Sequence, residues 1–340
     1  MRNKKVERST NEATSAEKVA SIDDILTQIL LLLPIKSLVR FISVSKHWLK
    51  LIKNPQFSFN RNPNPNPALG LFLQRTAYKK RPTFEYMAFG MERSTLYVIR
   101  QQRTLSDFQS RCIRGLSLVF DPSRSPEYKV ISVWSDIKYQ IEIYSSLIKT
   151  WRKSGNAFVS NVDFDSGTYW NGSMHWINHN EEGFNHLCYN IDKEYMSTIS
   201  TPPEWDESMD VYLGESCDHL HLVQTAVPSG IKFNVYELKR DCSEWFVKYQ
   251  LHLGLLFNAY PWKMRCKYFD SYVYFVRSFV RGQREEDSFL VMETPGKIVR
   301  LNLAFHTFEE IWDFEDDEDL KCLPSSWTKS FEYIESLCFV

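Results

Sequence analysis

SIDDILTQILLLLPIKSLVRFISVSKHWLKLIKNPQF, residues 21–57, sets the character of the first part of the chain. Its apolar residues recur in steps of three and four, the period of helices lying against apolar surfaces. Ser21 is placed to cap a first helix, with Asp23 and Asp24 at its positive end. Ile22, Ile25, Leu26, Ile29, Leu30 and Leu33 form one stripe, and Leu31 and Leu32 lie off it. Pro34 ends that helix and opens a second, whose stripe is Ile35, Leu38, Phe41 and Ile42. Ser43 or Ser45 caps a third, in which Val44, Trp48, Leu51 and Ile52 face together until Asn54-Pro55 stops it. Three short helices cannot hide so much apolar surface among themselves. The segment therefore needs a second apolar surface, in this chain or in another protein. Lys36, Arg40, Lys46, Lys50 and Lys53 would rim it, which suits a partner with acidic edges.

Beyond this segment the texture changes. Residues 1–20 are polar and expected to be disordered. In NRNPNPNP (60–67) alternating prolines interrupt any helix or sheet, and 58–68 reads as a linker. Residues 69–340 carry short alternating runs, YKVISVW (128–134), SMHWIN (173–178), HLHLVQ (219–224) and YVYFVR (272–277) among them. Aligned at Val130, Met174, Leu220 and Val273, these step by 44, 46 and 53 residues. Each is followed by a second hairpin element: 141–151, 187–199, 233–246 and 298–312. One such unit cannot bury its inner face, so the units must stack. The predicted fold class is α+β multidomain: a small three-helix module over 21–57, then a mainly-β repeat domain over 69–340, a propeller of about six blades. A β-sandwich with accidental spacing is the alternative.

The N-terminal segment resembles the F-box, by which substrate receptors join Skp–cullin–F-box ubiquitin ligases. The resemblance rests on Asp24, Ile25, Leu26, Ile29, Leu30, Leu33, Pro34, Lys36, Ser37, Leu38, Arg40, Phe41, Val44, Ser45, Lys46, Trp48, Leu51 and Ile52, all in register. The opening Leu-Pro of that family is Ser21-Ile22 here, and its usual Arg before the second Leu-Pro is Leu32. DPSRSPEYKVISVW, IEIYSSLIKTWRKSG, NGSMHWI, YNIDKEYMSTISTPP and NVYELKRDCSEWFVKY are similar to the interaction domain that follows the F-box in a large plant family. The resemblance implies docking on a Skp-type adaptor, and through it a cullin, by Ile25, Leu26, Ile29, Leu30, Leu33, Pro34, Lys36, Ser37, Leu38, Phe41, Val44 and Trp48. It also implies a β domain that holds a protein target of unknown identity, and no catalysis by this chain. A non-ligase protein that sequesters the adaptor, and a carbohydrate-binding propeller module or propeller hydrolase with the N-terminal helices only a cap, are the alternatives.

Other chemistry finds little support. A net charge of −1 supplies no global field for nucleic acid. The N-terminus lacks the apolar core of a secretory signal, and no apolar run reaches the roughly 20 residues of a membrane span. Seven cysteines without a CxxC pair fit a reducing compartment, so cytoplasm and/or nucleus is expected. There is no Gly-rich phosphate loop, GxSxG or HExxH, and no cofactor is expected. His175, His179, His186 and Cys188, with Asp192, are the densest metal candidate. Residues four apart on one strand are about 13 Å apart, too far for one ion, so no metal is expected. His219 and His221, beside Asp218, share a strand face and could recognise a ligand. The run EDDED (315–319) reads as a solvated loop or a contact for a basic target. Trp151, Trp170, Trp176, Trp205, Trp245, Trp262, Trp312 and Trp327 read mostly as blade core, with one or two free to act as surface anchors.

Overall fold

The structure, a computed structural model, describes residues 22–61, 68–75, 83–89, 97–99, 112–121, 127–160, 162–180, 183–200, 202–203, 205, 210–225, 232–259, 274–294, 296–313 and 329–333. The chain divides into two compact units, one built of the N-terminal helices and the other of strands. The expected disorder of residues 1–20, Ser21, most of the linker, Trp262, Trp327 and the 315–319 run lie outside the described residues.

Among its described residues the helical unit has four helices where three are expected: α1 (Asp23–Leu31), α2 (Ile35–Phe41), α3 (Lys46–Ile52) and α4 (Pro55–Arg61). Ile22 is the N-cap residue of α1 and gives no side-chain cap bond, while Asp23 and Asp24 occupy its first turn. Pro34 is the N-cap of α2. Ser45 caps α3, its hydroxyl oxygen accepting from the Trp48 N–H at 3.1 Å. Asn54-Pro55 does end α3. Proline, however, lacks only a donor that a first turn leaves unused, so Pro55 starts α4 and the helical unit runs past residue 57. Leu26, Leu30, Ile35, Leu38, Ile52 and Phe57 form its buried core. Phe41 and Trp48 meet edge to face at 5.0 Å beside that core.

The second unit is a β-propeller of five four-stranded antiparallel sheets among the described residues. One holds β1 (Gly70–Arg75), β2 (Thr83–Ala88) and β3 (Tyr97–Ile99). The next holds β4 (Cys112–Val119), β5 (Lys129–Ser135), β6 (Tyr139–Ser145) and β7 (Thr150–Phe158). Then come β8 (Thr168–Trp170), β9 (Ser173–Asn180), β10 (Gly183–Asn190) and β11 (Tyr195–Ile199). The fourth has β12 (Asp210–Ser216), β13 (His219–Thr225), β14 (Lys232–Leu238) and β15 (Trp245–His252). The fifth has β16 (Phe275–Val280), β17 (Phe289–Thr294), β18 (Lys297–Asn302) and β19 (Phe308–Asp313). The last strand, β20 (Lys329–Tyr333), returns to β1 as the fourth strand of the first sheet and closes the ring.

Among the described residues the blades number five, where about six are expected. Val130, Met174 and Leu220 do stand on second strands, β5, β9 and β13. The fourth run, 272–277, overlaps β16, the first strand of its blade, because a helix, α5 (Gly254–Ala259), and further residues precede it. The four second-hairpin elements coincide with β6–β7, β10–β11, β14–β15 and β18–β19. Apolar clusters lie between successive sheets, for example Ile131, Ile143, Met174 and Trp176. Leu71, Leu73 and Met87 pack against Phe289, Val291 and Ile298 where the fifth sheet meets the first.

Blade spacing leaves no room at Gly115, which sits at a bulge in β4. A Cβ there would stand 2.0 Å from the Phe164 carbonyl oxygen. Gly115→Ala should therefore lower the stability of the propeller by about 1–3 kcal/mol, since backbone must move to admit the methyl. Urea unfolding followed by tryptophan fluorescence measures this, and an unshifted midpoint would contradict it. Asn171 and Gly172, both at positive φ, form the two-residue turn between β8 and β9.

Candidate functional site

In α1 the single stripe read from the sequence splits in two. Leu26 and Leu30 point into the core of the helical unit. Ile22, Ile25, Ile29 and Leu32, spaced three, four and three apart, share another face and are 47, 40, 44 and 87% exposed. Val39 on α2 and Val44 before α3 are also exposed. A helix of nine residues with apolar residues on two sides normally has both covered. Here the core covers one of them.

The twelve residues expected to dock divide accordingly. Ile25, Ile29, Pro34, Lys36 and Val44 are exposed; Leu33, Ser37, Phe41 and Trp48 are half-buried. Leu26, Leu30 and Leu38, at 0–3% exposure, build the helical core and have no surface to offer a partner. Leu32, Val39 and Ile22 were not among the twelve and are exposed apolar residues of the same unit; only their exposure, which a periodic pattern does not give, distinguishes them.

Of the histidine candidates, His175, His186 and His221 are buried and His219 is half-buried. The β9–β10 hairpin sets His175 opposite Cys188, bringing together residues that spacing along one strand had kept apart. His175 Nδ1 lies 3.0 Å from His186 Nε2, and the Cys188 sulfur lies 4.0 Å from His175 Nε2. Burial, then the neighbouring His175, pushes the His186 pKa well down. Among the described residues no group of three or more His, Cys, Asp or Glu is arranged to hold a metal ion. His219 Nδ1 is 2.9 Å from Glu237 Oε1, and Arg281 donates to Glu237 Oε2 at 2.7 Å. His221 is fully buried and stacked on Phe279. Burial favours a protonated Glu237, but His219, His221 and Arg281 outweigh it and hold the carboxyl well below its usual range. Trp170, Trp176 and Trp245 are buried, as read, and Trp205 and Trp312 pack at the edges of clusters. Trp151, on β7, stands out at 43% exposure.

Residues 23–60 match the F-box domain. The chain is 29% identical to an F-box protein of Arabidopsis thaliana, over 96% of this chain and 94% of that protein. Among solved structures it is similar to the extracellular domain of the putative one component system BT4673 from B. thetaiotaomicron. That match has 9% identity, covers 74% of this chain and 29% of the other, and has a TM-score of 0.35. A putative TolB from Agrobacterium tumefaciens matches at 9% identity, 74% and 82% coverage and a TM-score of 0.36. These structural matches are loose, and the propeller assignment stands on strand pairing.

Proposed function

We propose that this chain, whose residues 23–60 match the F-box domain, serves as the substrate receptor of a Skp–cullin–F-box ubiquitin ligase. One observation carries this reading: the second apolar face of α1, formed by Ile22, Ile25, Ile29 and Leu32, in a unit whose own core has six buried residues. An exposed apolar face of this kind marks a protein contact. On this reading a Skp-type adaptor covers that face, Val39 and Val44 extend it, and Lys36, Arg40 and Lys46 meet acidic edges. The adaptor carries the cullin, and the propeller holds the target. The chain makes and breaks no bonds; it raises the effective concentration of target lysines near the charged ubiquitin-conjugating enzyme. It would work in the cytoplasm or nucleus, where that machinery meets its targets.

Co-expression with a Skp-type adaptor tests the reading. The double variant Ile25→Asp/Ile29→Asp should keep its helical circular dichroism and lose adaptor capture at least 30-fold, because two charges would be buried unpaired at the interface. Leu38→Ala should also lose capture, by a different route. It removes a fully buried side chain, costs about 2–5 kcal/mol, and melts the helical unit. Undiminished capture by the folded Ile25→Asp/Ile29→Asp variant would overturn the docking assignment. Cullin must also be recovered with wild type, and a bound protein must turn over faster in its presence. Capture of adaptor without cullin would overturn the ligase role.

A further inference from the structure

The first strands of four blades, β4, β8, β12 and β16, together with β20 surround a cavity of about 660 Å³ at the centre of the propeller. Its charges are sorted along its length. At one end Lys329, which opens β20, donates to Asp165, just ahead of β8: Nζ lies 2.9 Å from Oδ2 and 2.7 Å from the Asp165 carbonyl oxygen. Arg277, midway along β16, is held by the buried Glu293, with Nε to Oε2 at 2.7 Å. Both cations lining the cavity therefore already have carboxylate partners. At the other end Glu332, near the end of β20, accepts hydrogen bonds from Ser278 Oγ at 2.9 Å and Ser216 Oγ at 3.2 Å. Glu215, next to Ser216 on β12, also lines the cavity. Its carboxylate accepts from the Asp218 N–H at 2.6 Å.

Glu332 is thus a half-buried carboxyl held by neutral hydroxyl donors, with the Glu215 carboxyl close enough to act on it. Burial, then the Glu215 charge, pushes its pKa up to about 8. The other charged or titratable groups lining the cavity are Tyr212 on β12, Arg277 on β16, Lys329 on its own strand and Asp165. Leu118 and Phe331 also line the cavity, and they are 59 and 48% exposed. An apolar wall beside an acid is complementary to a side chain with an aliphatic stem and a cationic head.

We propose that this channel is where the target is recognised, and that it admits a lysine or arginine side chain of the target protein. The cationic head sits against Glu332 and Glu215, and the stem lies along Leu118 and Phe331. This rests on the receptor reading above and gives it a substrate class: proteins that present an exposed basic residue. The competing role for Glu332 is structural, a protonated bridge tying β20 to β12 and β16. That role has no use for a cation.

Full-length protein with its adaptor is titrated into fluorescein-labelled nonapeptide pools with degenerate flanks and a fixed central Lys, Arg, norleucine or Glu. Anisotropy should show the Lys or Arg pool binding at least tenfold tighter than the norleucine pool. Glu215→Gln/Glu332→Gln should erase that preference. Lys329→Met, at the far end, should change it less than twofold. Calorimetry at pH 7 in buffers of different ionisation heat should show proton release on binding the Lys pool, as Glu332 ionises against the cation. Equal binding of all pools, tightest binding of the Glu pool, a preference that survives the double variant, or no proton release would overturn the proposal. Adaptor capture is measured on the same samples. Its loss would count against the receptor reading, whereas intact capture without a cation preference would defeat the channel proposal alone.

Discussion

A chain ending at residue 328 should lose the cooperative unfolding of its propeller, whereas one ending at 333 should keep it. β20 is the only strand among the described residues that belongs to a sheet begun elsewhere in the sequence. It pairs with β1 from Gly70↔Tyr333 to Gln74↔Lys329, and the Leu69 N–H donates to the Tyr333 carbonyl at 2.8 Å. Tyr333 packs edge to face on Phe72 and Tyr86. Across the channel, Lys329 holds Asp165, Ser330 donates to the Arg277 carbonyl, and Glu332 joins Ser216 and Ser278. Each ladder bond contributes about 1 kcal/mol net, and a whole domain is stable by only about 5–15 kcal/mol. Removing the strand takes away several such bonds and the aromatic contacts together. It also leaves β1 as an open edge, a template for aggregation. The melting temperature of the 328 form should fall by at least 10 °C, or the protein should become insoluble. A synthetic peptide spanning 326–336 should restore part of the loss in trans. The paired truncations separate the strand from the residues after it. If both melt within 2 °C of the full chain, ring closure by β20 contributes nothing.

The sequence exposed periodicity well and facing poorly. The Ser45 cap, the Pro34 boundary and the four C-terminal hairpins were legible because each depends on residues a few positions apart. What α1 does with its leucines and isoleucines was not. When apolar residues cover most of a helix, the period shows that faces exist but not which one a neighbour takes, so the pattern alone does not separate Leu26 and Leu30 from Ile25 and Ile29. Blade number failed for a related reason. A repeat length divides the chain correctly only if connections are uniform, and the stretch carrying α5 is not. The contact of His175 with His186 depends on hairpin register, which spacing along one strand cannot supply. The channel was least legible of all. Glu332 meets Ser216 and Ser278 across 116 and 54 positions, through a C-terminal strand marked only by a short alternation in KSFEY.

Glu332→Gln should stabilise the protein, and by more as the pH rises. The carboxyl is free to ionise near 4.5 when the chain is unfolded, but burial and Glu215 push it up to about 8 in the folded state. Between those values the unfolded chain has given up a proton that the folded chain retains, so stability falls as pH rises and levels off above about 8. Below 4.5 both forms are protonated and the group contributes no pH dependence. Glutamine cannot ionise, and its amide can still bridge the Ser216 and Ser278 hydroxyls. The variant and wild type should therefore melt together at pH 4 and separate steadily toward pH 8.5. Each pKa unit corresponds to about 1.4 kcal/mol, and water in the channel reduces the full shift, so the gap at high pH should be on the order of 3 kcal/mol. Melts at four pH values would settle it, and a constant or shrinking gap would mean that Glu332 ionises normally in the fold. The result bears on function as well as stability. A carboxyl that weakens the fold at neutral pH contributes more when a cation reaches it than when the channel is empty, which is how binding sites commonly trade stability for affinity. A Gln variant that is more stable and has also lost its preference for basic peptides would show both halves of that exchange at one residue.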